Sequence, residues 1–363
     1  MTNCMLLTNK LQTLPVGGRE MLCKLNHDLL KDIFGDRLTV LELTKQPIRG
    51  FKLITNAFKG QIDGVNARTV NIAFQLIDAR NIKQLFVDGS NFGEIVMLVK
   101  RKYPHVQVYV FFHNVEIRFF WGSFKQYKSL HAFAVLVANY LAERKSVKFS
   151  DKLICLSHRD SLLLNKIYGR HATHVSPMAL RDQLALNAIK VADSSQEKFV
   201  LFVGGVFYAN RFGITWFLKH VAPRINIQIC IVGKGFEQYK KELEVDGKVK
   251  VIGAVDSLAD WYLKAHFVIA PIFDGSGMKT KVAEALMYGK KVIGTPEAFS
   301  GYEAISDIAG KVCVSADDFV AAINEADTIV LSSFDLVLRK TYEQTYSYSA
   351  ARARFQRILE PLS

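Results

Sequence analysis

Short apolar runs, each closed by glycine or a small polar residue, alternate along this chain with longer segments whose apolar positions recur at helical spacing. In the second half, Phe199 to Val203 is such a run, closed by Gly204-Gly205 and followed by the helical pattern of Ile214 to His220. Ile227 to Val232 is closed by Gly233-Lys234-Gly235, and Val249 to Ile252 forms a third strand. A helix over Leu258 to Ala265, a strand over His266 to Ile272, a helix over Lys279 to Tyr288 and a strand over Lys291 to Thr295 complete the series. The first half has the same grammar. Met5 to Thr8 is a strand, Pro15-Val16-Gly17-Gly18 a glycine loop, and Arg19 to Leu30 an amphipathic helix. Leu85 to Val87 ends in Asp88-Gly89-Ser90, Val106 to Phe112 in His113-Asn114, and Leu153 to Leu156 in Ser157-His158.

Short strands alternating with helices predict parallel sheets, whose ligands bind beyond the carboxyl ends of the strands. The pattern therefore predicts an α/β chain of two doubly wound domains facing a cleft: residues 1–175, a polar linker over 176–198 containing Pro177 and Asp193-Ser194-Ser195, and residues 199–343. Residues 344–363 read as a C-terminal helix packing back on the first domain. A length of 363 residues is enough for two cores of this kind.

One segment carries the clearest chemistry. Pro271 to Glu284 reads as a strand end, a glycine loop and the opening of a helix. Gly275 and Gly277, flanking Ser276, let backbone N–H groups approach an anion, and the helix opening near Lys279 adds unpaired amides and the positive end of its dipole. Lys279 and Lys281 add charge, and Glu284 lies three residues beyond Lys281 on roughly the same face, where its carboxylate can accept from hydroxyls. A phosphate site next to a hydroxyl acceptor points to a sugar nucleotide. A P-loop does not fit, because Met278 stands where that motif needs glycine before the lysine. A strand-to-helix turn whose glycines serve geometry alone is the plainer alternative.

Charge is unevenly spread. Residues 1–170 carry a net charge of +12 and residues 171–363 one of +1. A basic half suits a polyanion, whether acidic lipid head groups, a pyrophosphate-linked lipid or nucleic acid. Arg118, Lys125, Lys128, Arg144, Lys145 and Lys148 flank Phe119-Phe120-Trp121 and the apolar run Ala132 to Leu141, in the manner of an interfacial patch. The five cysteines are scattered without C-x-x-C spacing, so neither a disulfide framework nor a metal site is expected. No apolar run approaches the length of a spanning helix, and the opening residues lack a signal-peptide pattern. The expected setting is cytoplasmic, with peripheral contact at the inner face of a membrane.

The runs F-V-L-F-V-G-G at Phe199 to Gly205, Asn210-Arg211 with Trp216-Phe217, I-V-G-K-G at Ile231 to Gly235, and Pro271 to Thr295 resemble the donor domain of GT-B glycosyltransferases, most closely the retaining group called family four. F-F-H-N-V-E at Phe111 to Glu116 and I-C-L-S-H-R-D at Ile154 to Asp160 are similar to strand ends of the acceptor domain in those enzymes. The resemblance implies two Rossmann-like domains, a nucleotide-diphosphate sugar bound by the second, a saccharide or lipid-linked acceptor bound by the first, and no cofactor or metal. It implies that Glu284 meets the nucleotide ribose and that His113 points into the cleft near the transferred sugar. The loop Asp274, Gly275, Ser276, Gly277, Met278, Lys279 and Thr280, with Lys281, would surround the phosphates and sugar, and Arg211 would answer to a basic diphosphate residue. Gly17, Gly18, Gly233 and Gly235 are further candidates at glycine loops. The family commonly pairs two glutamates eight apart; here Ser276 holds the first position and Asp274 is the nearest acid.

The reading is a hexosyltransferase-like enzyme of polysaccharide or glycan assembly. Two alternatives stay beside it: another sugar-nucleotide enzyme on the same fold, such as an epimerase, and a basic module that binds membrane or nucleic acid. Nucleic acid is not an expected partner of the transferase.

Overall fold

The computed structural model describes residues 2–13, 18–44, 59–184, 198–275, 277–328 and 334–360. The chain divides into two compact units: Met1–Met178 together with Ala351–Ser363, and Ala179–Ala350.

Unit 1 is built on six strands, β1 (Asn3–Asn9), β2 (Leu38–Leu43), β3 (Ile82–Asp88), β4 (Gln107–Phe112), β5 (Lys152–Cys155) and β6 (His174–Val175). They form one parallel sheet in the order β2-β1-β3-β4-β5-β6. Helices α1 (Gly18–Phe34), α2 (Ala67–Ala79), α3 (Gly93–Lys102), α4 (Glu116–Tyr127), α5 (Leu130–Phe149) and α6 (His158–Tyr168) make the crossovers and flank the sheet. The strands are apolar along nearly their whole length because both faces are covered. Met5, Leu7, Leu85, Val87, Val108 and Val110 join Ile77 of α2 and Val96 of α3 in one core layer. α3 and α5 cross closely: a Cβ on Gly93 would fall 1.8 Å from the Ala142 carbonyl oxygen, so only glycine permits the crossing.

Unit 2 repeats the plan with β7 (Phe199–Val203), β8 (Gln228–Val232), β9 (Val249–Gly253), β10 (Phe267–Ala270), β11 (Val292–Gly294) and β12 (Gly310–Val312). Its sheet is also parallel, in the order β12-β11-β10-β7-β8-β9. The helices that matter below are α7 (Tyr208–His220), α8 (Ala259–Lys264), α9 (Thr280–Met287), α10 (Ala316–Thr328) and α11 (Leu336–Thr341). Alternate residues of β7 feed two cores. Leu201 and Val203 pack with α9 and Tyr342, while Val200 and Phe202 pack with Ile214 and Phe217 of α7 and Phe319 of α10. Strand β10 stops two residues short of the Ile272 read from the sequence, because Ile272 N–H bonds back to Ala270 and turns the chain into the glycine loop.

The last helix, α12 (Tyr348–Leu359), belongs to unit 1 from Ala351 onward. Its Phe355 ring lies 5.6 Å from Phe86 and 6.1 Å from Phe111, and its final carbonyls are capped from the sheet: Gln84 Nε2 donates to Leu359 and Lys152 Nζ to Ile358, at 2.8 and 2.7 Å. Of the expected linker, residues 185–197 lie outside the described residues, while Leu180 bonds through its backbone to Tyr346 and Tyr348 within unit 2.

Both sheets reverse their winding direction once, between β1 and β3 in unit 1 and between β7 and β10 in unit 2. At such a point two neighbouring crossovers leave in opposite directions and open a crevice at the carboxyl ends. Each unit thus has one predetermined place for a ligand.

Candidate functional site

In unit 2 the crevice is floored by the loop from Pro271 to Lys279. Gly277 has φ +68°, the left-handed region that favours glycine, and sends the chain into α9 at Thr280. No side chain among the described residues caps α9, and its Val282 amide turns back to the Lys279 carbonyl at 3.3 Å; the start of such a helix carries the positive end of its dipole, which favours an anion. Ser276 lies outside the described residues.

The loop is braced from the turn after β11. Lys279 Nζ pairs with Glu297 Oε1 at 2.9 Å and bonds to the Gly277 carbonyl at 3.0 Å, and Tyr302 donates to the Lys279 carbonyl at 2.9 Å. The Met278 side chain rests on Gly301, where a Cβ would fall 2.5 Å from Met278 Cγ. Lys279 thus holds the loop's shape, and its charge is already engaged by Glu297.

Lys281 is buried beneath the loop. Its Nζ donates to Asn210 Oδ1 at 3.0 Å and sits 4.8 Å from the centre of the Phe202 ring. Burial pulls its ammonium down to about 8, opposed by Glu284 and assisted by Lys279. Asn210 in turn donates to the Gly205 carbonyl at 2.9 Å, which ties the glycine turn after β7 to α9. Glu284, one turn along, is half-buried; its Oε2 accepts from Tyr262 of α8 at 2.8 Å, and Tyr262 stacks on Tyr288 at 4.9 Å. Burial raises the Glu284 carboxyl, while the Tyr262 hydrogen bond and Lys281 oppose it.

The remaining candidates of unit 2 are placed as follows. Asp274 is exposed and accepts from Tyr208 at 3.0 Å and from the Gly275 amide at 2.7 Å. Gly233 packs the β8 loop on the β7 loop: a Cβ there would fall 1.9 Å from the Gly204 carbonyl oxygen. Gly235 opens the turn at Phe236. Arg211 is exposed on α7 and turned onto Tyr239, 4.2 Å from its ring, with Glu242 at 3.8 Å. Sequence reasoning gave no role to Tyr208, Asn210 or Tyr262. Their partners lie 66, 71 and 22 residues away, so only the fold brings them together.

In unit 1 the crevice holds a buried polar cluster. Asp88, at the end of β3, accepts from Thr8 of β1 at 3.0 Å and from Asn26 of α1 at 2.7 Å, and pairs with His113 Nε2 at 2.7 Å. Burial by itself would raise the Asp88 carboxyl; the charge and hydrogen bond of His113, with the bonds from Asn26 and Cys23, bring it down to about 2. His113 Nδ1 is buried without a hydrogen-bond partner among the described residues. The ligand atoms of Cys23, Asp88 and His113 lie within 4.8 Å of one another, a spacing one metal ion can span. Asp88 already serves Thr8, Asn26 and His113, and burial raises the Cys23 thiol well above its ordinary value, so the chemistry fits a hydrogen-bonded hub better than a metal centre. Gly18 begins α1 with open space about it, and Gly17 lies outside the described residues. A cavity of about 390 Å³ beside them is lined by Asn9, Lys10, Arg19, Cys23 and Thr44, among others.

Residues 197–330 match the model of the family described as Glycosyl transferases group 1. None of the curated proteins matches the chain. Sucrose-phosphate synthase from Thermosynechococcus elongatus is similar in structure over 98% of this chain and 98% of its own, at 14% identity and a TM-score of 0.72. HepE from Anabaena, solved in complex with UDP, is similar over 99% of this chain and 100% of its own, at 13% identity and a TM-score of 0.70. WaaG, a glycosyltransferase involved in lipopolysaccharide biosynthesis, is similar over 99% and 100%, at 13% identity and a TM-score of 0.61. At these identities the likeness is one of fold, and it extends over both units.

The Asp88 hub gives a stability test. A carboxyl held near 2 when folded, against an ordinary 3.8, stabilises the fold above pH 3.8 and loses that contribution as pH falls toward 2. Its size is about 2 kcal/mol. Asp88→Asn should lower the stability of the full chain by roughly that amount at pH 7 in urea unfolding, and the gap from wild type should close near pH 2. A gap of equal size at both pH values would show that the charge of Asp88 contributes nothing.

Proposed function

We propose that this chain, a glycosyltransferase of the GT-B fold whose residues 197–330 belong to the glycosyl transferases group 1, moves a hexose-type sugar from a nucleotide-diphosphate donor to a saccharide or lipid-linked saccharide. Unit 2 takes the donor and unit 1 the acceptor. The observation that carries this reading is the arrangement of the uncapped α9 start, buried Lys281 and half-buried Glu284 at the switch point of the second sheet. Glycosyl transfer builds negative charge on the departing diphosphate, and a helix end with a desolvated lysine is suited to stabilise it without a metal. Glu284 Oε1 has no hydrogen bond among the described residues, which leaves it for ribose hydroxyls while Tyr262 fixes the other oxygen. Retention of configuration is the course that resemblance to the family-four group implies. His113, held by Asp88, presents Nδ1 on the acceptor side.

The proposal extends to a peripheral membrane contact, from which a lipid-linked acceptor would be drawn. No helix among the described residues is long and apolar enough to cross a membrane. On α4 and the start of α5, however, Phe119, Trp121, Tyr127, Leu130 and Phe133 are 48, 48, 67, 89 and 50% exposed. Lys125, 5.5 Å from the Trp121 ring, and Lys128 are exposed on and just after α4, and Arg144 is exposed three turns beyond Phe133 on α5. Lys145 is not available to it, being paired with Glu94 and bonded to the Lys59 carbonyl. Rings that tolerate the headgroup level, bordered by cations, are the composition of an interfacial surface.

Two outcomes are expected. In calorimetry with UDP, GDP and ADP in turn, Glu284→Ala should weaken the nucleotide that wild type binds by roughly tenfold or more, the loss of a charged hydrogen bond. Lys281→Ala should weaken the diphosphate more than the parent nucleoside, and wild-type affinity should fall as pH rises through about 8, where the buried ammonium loses its proton. Unchanged affinity in a folded Glu284→Ala protein, or equal losses for diphosphate and nucleoside, would remove these residues from the donor site. For the membrane contact, sedimentation should recover the protein on anionic but not neutral vesicles and release it as salt rises. The triple change of Lys125, Lys128 and Arg144 to Glu should abolish recovery, at about 1 kcal/mol per lysine or arginine removed. Recovery that ignores lipid charge would contradict this contact.

A further inference from the structure

The carboxyl edge of the unit 1 sheet gathers polar atoms that the fold itself does not satisfy. Asn9 ends β1, Asn91 follows β3, and His113 and Asn114 follow β4; these three strands are neighbours in the sheet. Asn9 Oδ1, Asn91 Oδ1, Asn114 Oδ1 and His113 Nδ1 are buried with no hydrogen-bond partner among the described residues. Arg19 Nη2, in the first turn of α1, is in the same condition. Asn91 and His113 are themselves only 3 and 6% exposed.

These atoms belong to one place. Arg19 lies over the end of β3: a Cβ on Gly89, whose φ is +135°, would fall 3.7 Å from its Nη2. The guanidinium stands 3.8 Å from Asp63 and 4.0 Å from Glu116, too far for hydrogen bonds. Asn91 donates to the same Asp63, and His113 turns Nε2 to Asp88 at 2.7 Å. Asn9, Arg19 and Cys23, the last beside Asp88, line the cavity of about 390 Å³.

The unmet needs specify a ligand. The orientation of Asn91 is fixed by its donation to Asp63, so its oxygen can only accept. The oxygens of Asn9 and Asn114 also call for donors. A hydroxyl serves His113 Nδ1 in either protonation state, because it both donates and accepts. Arg19 alone calls for an acceptor. A carboxylate or phosphate brings acceptors only, and sets its charge against Asp63 and Glu116. The crevice does not share the basic character of unit 1: Asp63, Asp88 and Glu116 face Arg19 and His113, and Glu20 offsets Lys10 in the cavity wall. Leaving buried polar groups unpaired is costly, and a ring bearing several hydroxyls satisfies donors and acceptors together.

We propose that the crevice of unit 1 binds an uncharged, hydroxyl-rich sugar ring, so that the acceptor presents a neutral hexose there and not a uronic acid or a sugar phosphate. The inference rests on the transferase reading and names the class of its acceptor.

The test uses the full chain at about pH 8, above the value of about 7 to which burial raises the Glu116 carboxyl, so that this acid is ionised. Methyl α-glucoside, methyl α-galactoside and methyl α-mannoside are titrated at millimolar concentration by ligand-observed NMR, each against the glycoside of the corresponding uronic acid. At least one neutral glycoside should bind, and its uronate at least about tenfold more weakly. Asn114→Ala should weaken the bound glycoside about fivefold, the loss of one hydrogen bond. Glu116→Gln should narrow the preference over the uronate, which a purely structural glutamate would not do. Urea unfolding shows whether each variant is folded. Failure of the folded wild type to bind any neutral glycoside overturns the proposal, the unmet groups then being served by water. So does a uronate bound as tightly as its neutral partner, or folded variants that leave both affinities unchanged. UDP, GDP and ADP are titrated into the same wild-type protein. A nucleotide bound without any glycoside fails the neutral-sugar inference alone, whereas no nucleotide bound fails the transferase reading itself.

Discussion

Every paired strand in both sheets runs parallel to its neighbour, and the placement of chemistry in this protein follows from that constraint. A parallel sheet collects all its carboxyl ends along one edge, and each crossover must leave from that edge. Where the winding reverses, the departing loops separate and leave a crevice that backbone alone cannot fill. In unit 2 the crevice receives Gly204, Gly205, Gly275 and Gly277; in unit 1 it receives Asp88, Gly89, His113 and Asn114. The same geometry yields a glycine-rich loop ahead of a helix in one unit and a buried acid–histidine hub in the other.

Burying charge is expensive unless it is paired, and unit 1 shows both ways of meeting that cost. Asp88 and Glu143 are surrounded by donors and hold other elements in place: β1, α1 and the loop after β4 in one case, the first turn of α4 in the other. Among the described residues Glu116 is buried without such donors, and in unit 2 the ammonium of Lys281 has the neutral Asn210 as its hydrogen-bond partner. The first kind of group stabilises the architecture. The second kind is stable only because the satisfied groups around it hold it there, which is how a folded scaffold can carry reactive groups.

The fold was legible because its signals are local. Apolar runs such as Phe199 to Val203 and the glycines that close them sit side by side in the chain, and a parallel sheet buried on both faces makes such runs almost continuous. The loop from Asp274 to Lys281 was legible for the same reason. What the sequence could not convey was which polar groups are engaged. Lys279 and Lys281 look alike two residues apart, yet one is spent on Glu297 and the other is buried against Phe202. Arg211, read from the sequence as a basic diphosphate residue, lies on Tyr239, a contact the sequence did not signal. Asp88 and Glu116 were visible as members of strand-end motifs, but their opposite conditions depend on Thr8, Asn26 and Glu143, which are distant in sequence.

The central claim is that a sugar nucleotide sits at the switch point of the second sheet. Hydrogen–deuterium exchange of the full chain, with and without saturating UDP, GDP or ADP, tests it most directly, because amides that bind phosphate or close over a ligand exchange more slowly. The account predicts that at least one of these nucleotides slows exchange in the turn after β7 around Gly204 and Asn210 and in the segment from Asp274 to Glu284, while the strands of unit 1 are unchanged. Slowing confined to unit 1, or none in either segment with a nucleotide shown to bind, would contradict it.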